Sequence, residues 1–201
     1  KQEIIKLIDQ NGCCLARNGN LNLAPANDRI IKVSAPLGME PYARMISSIM
    51  AKNYAMGINH CLIDIPVWPT AKVSTQADAE RIAQHFKNIG EYLDIKTQVI
   101  LTKAEQPIGN GIGAILQVRE ALRVLQQHKL RPHDLEQKAL ELAAHIVVLC
   151  GLCETYEEAL EKVSLQLTSW AAREKMQEII SSQEGKNPKI WSEELELAPN
   201  T

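Results

Sequence analysis

Two short apolar segments with a helical pattern between them constrain the fold of this chain more than any other feature. CLIDIPV (Cys61–Val67) and TQVIL (Thr97–Leu101) are apolar on both alternating faces, as are strands buried inside a parallel sheet. A helical pattern runs between them from Thr75 or Gln76 to Ile89, and another follows from Ala114 to Gln127. Strand, helix, strand and helix in succession predict a βαβ unit and therefore an α/β fold.

The rest of the chain is predicted to be mostly helical. Two or three strands make a thin sheet, because α/β sheets commonly have about four to six. The sequence leaves two explanations open. Either the remaining strands lie outside this chain, or the apolar pieces Cys13–Ala16 and Ile30–Val33 are further members of the sheet. The fold class is thus α/β and helix-rich, with a small, largely parallel, incomplete sheet. Its other predicted helices are Gln2–Ile8, Glu40–Tyr54, Leu135–Leu149 and Tyr156–Ile180.

Composition and charge narrow the possible partners. The 201 residues are 45% hydrophobic, which is enough for one domain, with or without a small appendage. With 22 Lys and Arg against 24 Asp and Glu, the sequence predicts neither nucleic acid nor an anionic membrane as a partner. Its longest apolar run, about seven residues around Ala143–Leu149, is far short of the roughly 20 that span a bilayer. Five cysteines scattered through apolar segments indicate reduced thiols and a cytoplasmic protein.

A ladder of polar residues lies on the predicted helix that starts at Glu40. Glu40, Arg44, Ser48 and Lys52 follow one another at intervals of four, which stacks them on one face of a helix, opposite the apolar stripe. Spacing alone favours a solvated face, with a Glu40–Arg44 pair contributing about a few tenths of a kcal/mol. The alternative is a binding surface.

The motif WPTAK (Trp68–Lys72) directly follows the buried strand CLIDIPV. Ligands of α/β sheets bind outside the carboxyl ends of the strands, so Thr70 and Lys72 stand where a small polar or anionic ligand is expected. Pro66 and Pro69 are expected to stiffen this turn. By itself, the motif favours an ordinary strand-to-helix loop that carries a surface lysine.

Other residues capable of chemistry form weaker patterns. QPIGNGIGA, with Gly109, Gly111 and Gly113, lacks the GxGxxG spacing of a dinucleotide loop and indicates close strand–helix packing. Cys150 and Cys153 form a single CxxC without the second pair of a zinc site, which leaves a thiol redox module as a minor hypothesis. No metal or cofactor is predicted, because the histidines are scattered. They are His60, His85, His128, His133 and His145, the last a core candidate.

Several ordered motifs together resemble one enzyme family. NLAPANDRIIKV, MEPYARMISSIMAKNYAMGINHCLIDIPVWPTAKV, ILTKAEQPIGNGIGAILQVREAL, IVVLCGLCETYEEA and QEIISSQEGKNP resemble the thymidine/pyrimidine-nucleoside phosphorylases and their relatives, the archaeal-type AMP phosphorylases. SSIMAKN is shared across that family, whereas IDIPVxPTAKV is closer to the archaeal-type branch. The resemblance covers nearly the whole chain.

The resemblance assigns roles to residues already singled out. It implies that Ser48 and Lys52 contact the nucleobase and that Lys72 contacts the substrate. Glu40 stands where the nucleotide-using branch has an aspartate that protonates the leaving base, and it is one methylene longer. Lys32 falls at the base-binding arginine and supplies a point charge instead of a fork. Trp68 replaces a glycine usual in the archaeal-type motif.

The family implies phosphorolysis of thymidine or another pyrimidine nucleoside to free base and sugar 1-phosphate, without a cofactor. AMP phosphorolysis and a catalytically lapsed nucleoside-binding module are the alternatives. A homodimer is also implied. The family's phosphate-binding K-H-S-x-G-G-like element does not occur between Lys1 and Thr201, so we expect this chain to be a fragment that holds the base-recognising part and is inactive alone. The expected segments are 1–24 (the end of an α/β segment), 25–56 (a helical excursion belonging to a separate α subdomain) and 57–201 (α/β with C-terminal helices).

Overall fold

A computed structural model describes residues 2–15, 25–34, 36 and 42–183. In these ranges the helices are α1 (Gln2–Asn11), α2 (Pro25–Ser34), α3 (Tyr42–Ala55), α4 (Gln76–Tyr92), α5 (Ala114–Leu125), α6 (His133–Leu149), α7 (Tyr156–Thr168) and α8 (Ala171–Ser182), and the strands are β1 (His60–Val67) and β2 (Lys96–Lys103). The chain divides into two compact units. Unit 1 comprises Lys1–Leu15, Gly109–Glu136 and Ser164–Thr201, and unit 2 comprises Ala16–Ile108 and Gln137–Val163.

Unit 2 is built on the predicted βαβ unit. β1 and β2 pair in parallel, in a register that runs from His60 opposite Lys96 to Val67 opposite Lys103. α4 connects the two strands and begins after Thr75, whose hydroxyl accepts a hydrogen bond of 3.1 Å from the Asp78 amide. A helix-rich chain with a small parallel sheet confirms the predicted fold class.

One face of this sheet is buried under α3 and α4. Ile46 and Met50 of α3 and Ile82 and Phe86 of α4 are almost completely buried against the sheet, together with Ile65 of β1. Burial of a side chain of this size contributes about 1.5–3 kcal/mol. This core holds α3 against α4 and the sheet.

The other face of the sheet carries polar side chains that meet α6. The Lys96 ammonium donates to the Leu149 carbonyl at 2.8 Å, and the Gln98 amide lies 3.3 Å from His145 Nδ1. His145 is half-buried and its ring lies 4.7 Å from that of Tyr156. A small apolar cluster beside them contains the buried residues Ala144, Cys153 and Ala159.

Unit 1 is helical in the residues described. α8 contacts both α1 and α5. The side-chain amide of Gln183 forms two hydrogen bonds with the backbone of Leu15, accepting from its amide at 2.7 Å and donating to its carbonyl at 2.6 Å. The side-chain amide of Gln183 donates and accepts as a backbone peptide group does. These two hydrogen bonds connect the segment after α1 to the end of α8.

The structure decides the open question of the two short apolar pieces and corrects one predicted helix. Ile30–Val33 belongs to α2 and is not a strand, and Cys13–Leu15, the described part of the other short piece, is not a strand either. The long helix predicted over Tyr156–Ile180 is two helices, α7 and α8, separated at Trp170, which has a left-handed φ of 72°. Short apolar runs do not distinguish strand from helix by periodicity, and helical spacing that continues across a break conceals it. The expected segment boundaries stay a prediction.

Candidate functional site

The turn after β1 is held by its own backbone. The Ala71 amide donates to the Trp68 carbonyl at 2.9 Å, and the Trp68 amide donates to the Val73 carbonyl at 3.2 Å. Val73 is 4% exposed and forms a parallel bridge with Val67, which anchors the turn in the core. Lys72 precedes this anchor and is exposed at the carboxyl edge of the sheet, where a ligand-contacting lysine was predicted.

Proline placement in this turn differs from the prediction. Pro66 lies inside β1, opposite Thr102, and only Pro69 lies in the turn itself. A proline has no amide to donate, so Pro66 is compatible only with a strand side that needs no donor there. Within the turn itself, the backbone is constrained by Pro69 and by the two backbone hydrogen bonds.

The polar ladder on α3 is partly buried. Arg44, Ser48 and Lys52 are each half-buried, whereas Ser47 and Ala51 on the neighbouring rows are exposed. The ladder therefore runs along the flank of the apolar stripe and does not lie opposite it. A fully solvated face, the commoner explanation of such spacing, does not describe these three side chains.

One hydrogen bond joins the ladder helix to the turn after β1. The hydroxyl of Tyr42, the first residue of α3, donates to the Lys72 carbonyl at 3.1 Å, and the Tyr42 ring packs against the core. The structure thus connects the elements that carry two of the predicted sites, the Ser48–Lys52 pair and Lys72.

The other two predicted site residues are placed differently. Lys32 lies in the last turn of α2 with its side chain exposed. Glu40 lies outside the described residues. Of the predicted site residues, the structure therefore connects the elements that carry Ser48, Lys52 and Lys72.

These side chains can supply a defined chemistry. A hydroxyl and an ammonium one helical turn apart both donate hydrogen bonds to a polar heterocycle, and the ammonium stabilises negative charge that develops on it. Lys52 also lies in the last turn of α3, where a cation interacts favourably with the helix dipole. Lys52 can therefore interact with the helix dipole and also stabilise charge on a bound heterocycle.

A polar cluster that was not predicted from the sequence lies between the strands and α6. The Lys138 ammonium lies 2.6 Å from an Asp64 carboxylate oxygen and donates to the Thr102 hydroxyl at 3.0 Å, and that hydroxyl donates to the other Asp64 oxygen at 2.7 Å. The three side chains satisfy one another, which stabilises a partly buried charge. An aspartate in the middle of the otherwise apolar strand CLIDIPV was the available signal.

The glycine-rich loop packs closely against α5. A Cβ on Gly111 would lie 2.9 Å from the backbone of Leu116. The loop amide of Asn110 is bound by the buried carboxylate of Glu120 at 2.9 Å, and the Gly109 amide is bound by Asp134 at 2.8 Å. Since carboxylates occupy these two amides, the loop is not arranged as a phosphate cradle here.

The CxxC pair does not form two reactive thiols. Cys150 is exposed, but Cys153 is 7% exposed and belongs to the small apolar cluster. Burial raises the pKa of the Cys153 thiol, and the nearby Glu158 carboxylate raises it further by a smaller amount. Less thiolate at neutral pH means a weaker nucleophile, which argues against a redox module.

An open crevice elsewhere in unit 2 is not the candidate site. It has a volume of about 420 Å³ and lies where α4 ends and β2 begins, at the amino edge of the sheet. Lys87, Glu91 and Lys96 line it with mixed charge. Ligands of α/β sheets bind at the opposite, carboxyl edge.

The described residues contain neither a metal-binding cluster nor a membrane-spanning helix. Within the described ranges, no group of three or more His, Cys, Asp or Glu residues is arranged to hold a metal ion. In the same parts of the chain, no helix combines the length and apolar character needed to cross a membrane.

Comparison with known proteins identifies the relatives of this chain. No protein-family model matches it. A protein named AMP phosphorylase from Thermofilum pendens is 40% identical over 199 residues, which is 99% of this chain and 37% of that protein. An AMP phosphorylase from Methanococcus maripaludis is 39% identical over 98% of this chain and 38% of its own length. A protein from Nitrobacter hamburgensis named "Putative thymidine phosphorylase" is 38% identical over 85% of this chain and 33% of its own length.

The chain spans between 33% and 38% of the length of these three relatives. Its similarity to them extends through α3, the βαβ unit and the C-terminal helices and is not confined to one motif. Over nearly its whole length, the chain is therefore related in sequence to the AMP and thymidine phosphorylases, which confirms the family resemblance of its motifs.

Proposed function

We propose that this chain is the nucleobase-recognising part of a nucleoside or nucleotide phosphorylase, a pentosyltransferase that uses inorganic phosphate. One observation carries the proposal. The half-buried Ser48 and Lys52 lie on a helix whose first residue is hydrogen-bonded to the turn that carries Lys72, in a chain 40% identical to an AMP phosphorylase over 199 residues.

The reaction makes and breaks one bond at the same carbon. An oxygen of phosphate forms a bond to the anomeric carbon of the sugar while the bond from that carbon to the base nitrogen breaks. The electron pair of the broken bond stays on the base, which then takes up a proton. Donors that face the base are most useful when this charge develops, because they stabilise the transition state more than the ground state.

We assign the base-side work to residues of α3 and its neighbours. Ser48 and Lys52 donate to the base, and Lys52 stabilises the charge that appears on it. Glu40 protonates the departing base, Lys32 provides a further cation near it, and Lys72 contacts the substrate. The support for Glu40 and Lys32 is the family resemblance of their sequence positions alone.

Thymidine or another pyrimidine nucleoside is the first substrate we propose. A nucleoside monophosphate is the second candidate, and two points favour it. The relatives at 39–40% identity are named AMP phosphorylases, and the ammonium of Lys72 suits a 5′-phosphate. Supplying both compounds to one preparation discriminates between them.

The test is release of free base from the protein at its full natural length. We expect base from thymidine or from AMP only when inorganic phosphate is present, at a rate that rises with phosphate and saturates. The matched control is the Ser48→Ala, Lys52→Met double variant, which removes both donors. Absence of phosphate-dependent release from either compound, with folded protein, would overturn the proposed reaction.

A catalytically lapsed binding module is the competing function, suggested by the substitutions at Lys32, Glu40 and Trp68. Calorimetry beside the release assay separates it from the enzyme. Binding of thymidine or AMP without turnover supports the lapsed module, whereas turnover supports the enzyme.

We also propose a homodimer that works in the cytoplasm. The five cysteines of the sequence, free in the structure, support a reducing compartment. Sedimentation equilibrium of the natural-length protein tests the assembly: a mass of two chains supports the dimer, and a mass of one chain over micromolar concentrations contradicts it.

The segment boundaries after residues 24 and 56 are likewise proposed, with limited proteolysis as their test.

A further inference from the structure

The contact between Tyr42 and Lys72 stands out because a side chain of α3 binds the backbone of the turn that carries a predicted site residue. Tyr42 opens α3, the helix that carries Ser48 and Lys52, and its hydroxyl reaches the Lys72 carbonyl at 3.1 Å. The bond is exposed to solvent, so it contributes little to global stability. What it fixes is the distance between the start of α3 and the turn.

The ring of Tyr42 is itself held in place. It packs against the core cluster formed by α3, α4 and the sheet, so the hydroxyl projects from a fixed body. A fixed donor positions its acceptor more closely than a donor on a flexible side chain does, because less rotamer freedom must be lost on binding.

The other end of the bond is the turn after β1, which is held on both sides of Lys72. Trp68 and Ala71 are tied within the turn, and Val73 is anchored in the core. Lys72 lies between these fixed points, and its peptide group is the part that Tyr42 holds. Fixing that carbonyl restricts ψ of Lys72 and so limits the backbone conformations from which its side chain projects.

We propose that Tyr42 is a positioning residue that orients Lys72 toward the substrate bound beside Ser48 and Lys52. The inference rests on the proposed function and deepens it, since it assigns a task to a residue outside the substrate-contacting set. Tyr42 acts through Lys72 and does not touch the substrate itself.

Tyr42→Phe is the direct test, since it removes the hydroxyl and keeps the ring in the core. In the natural-length protein, we expect KM for thymidine or AMP, whichever the wild-type protein cleaves, to rise about two- to tenfold, the loss expected for one hydrogen bond. KM for phosphate should stay unchanged and kcat should change less than about twofold, as for a lost binding contact. Tyr54→Phe, the same substitution at the exposed end of α3, is the matched control and should change none of these constants.

A double-mutant cycle with Lys72→Ala separates positioning from a general structural effect. If Tyr42 acts through Lys72, Tyr42→Phe has no further effect on kcat/KM once Lys72 is alanine. Equal losses in the two backgrounds, or an unchanged KM in Tyr42→Phe, overturn the inference and leave the proposed function intact. A wild-type protein that neither cleaves nor binds thymidine or AMP overturns the proposed function, and the inference with it.

Discussion

At the scale of single residues, Lys52 illustrates how one side chain can serve both the helix and the site. It lies in the last turn of α3 and is half-buried. Replacing it by methionine keeps most of its apolar length but removes the charge. We expect Lys52→Met to lower kcat/KM for base release by about 100-fold, the effect of losing one donor to developing charge.

The same change should cost about 1 kcal/mol or less of the free energy of unfolding, because only the helix-dipole interaction is lost. Steady-state kinetics and urea unfolding measure the two effects side by side. Lys87→Met, at an exposed position of α4, serves as the control. A similar activity for Lys52→Met and wild type would remove Lys52 from the site.

The thiols provide a second prediction at this scale. Burial raises the pKa of the Cys61 thiol, and the Asn53 amide hydrogen-bonded to its sulfur at 3.2 Å offsets this in part. The pKa of the Cys153 thiol is raised as well. Since a raised pKa leaves less thiolate at neutral pH, we expect a thiol reagent at pH 7 to label Cys150 well before Cys61 and Cys153.

Mass spectrometry of the labelled native protein gives the order, and the same reaction in denaturant gives the control, in which the three thiols react alike. Raising the pH should accelerate the slow sites as their thiolate fraction grows. Labelling of Cys153 as fast as that of Cys150 in the native state would restore the redox hypothesis.

Residue positions were more predictable than residue environments. The spacing of Ser48 and Lys52 and the place of Lys72 after a strand follow from the sequence. The half-burial of the ladder does not follow from the sequence, because it depends on how closely β1 and α4 pack against α3. Tyr42 was recognisable only as part of an apolar stripe, since the partner of its hydroxyl is 30 residues away.

At the scale of elements, α4 and β2 approach each other at Gly90. A Cβ there would lie 2.9 Å from the Ile95 carbonyl oxygen and closer still to the Thr97 hydroxyl. We therefore expect Gly90→Ala to destabilise the fold by about 1–3 kcal/mol through overpacking, even though alanine is the better helix former.

Urea unfolding of Gly90→Ala and of Asn88→Ala, an exposed site two residues earlier, measures the difference. Adding Thr97→Ala to Gly90→Ala should recover part of the loss by removing the nearest atom. A gain in stability for Gly90→Ala alone would show that the helix and strand are less closely packed than described.

The Asp64–Lys138–Thr102 cluster joins the strands to α6. The side chains of Lys138 and Asp64 are only 25% and 22% exposed, so removing one charge leaves the other partly buried without its partner. We expect Asp64→Asn to lower the free energy of unfolding by about 1–3 kcal/mol.

An exposed ion pair on α4 is the matched control. Arg81 and Asp78 lie 2.5 Å apart, and the Arg81 side chain is 64% exposed, so Arg81→Met should cost no more than about 0.5 kcal/mol. The Asp64→Asn, Lys138→Met double variant should be less destabilised than the sum of its single variants. Equal costs for the cluster and the exposed pair would contradict the described burial.

Elements were predictable where one physical signal dominated. The two strands are short apolar runs, and α4 to α6 show clear helical periodicity, so these were found close to their observed bounds. The division between α7 and α8 depends on the left-handed backbone of Trp170, a conformation that sequence periodicity does not report. α2 looked like a short apolar strand because Ile30 and Val33 are apolar, although both are exposed on the helix.

At the scale of the whole molecule, the proposed function rests on the geometry of α3 and the turn after β1 together with the sequence relationship to known phosphorylases. The chain aligns over 98–99% of its length with AMP phosphorylases and covers 37–38% of them. We propose that residues within this chain recognise the base, whereas phosphorolysis also needs a phosphate site. The central claim therefore concerns the reaction of the natural-length protein.

Detection of the sugar product by ³¹P nuclear magnetic resonance tests that claim most directly. The natural-length protein is incubated with inorganic phosphate and with thymidine or AMP in separate samples. We predict that the signal of inorganic phosphate decreases while a sugar 1-phosphate signal appears in equal amount, together with free base. Free base without any sugar 1-phosphate, or no change in either sample, would contradict the account.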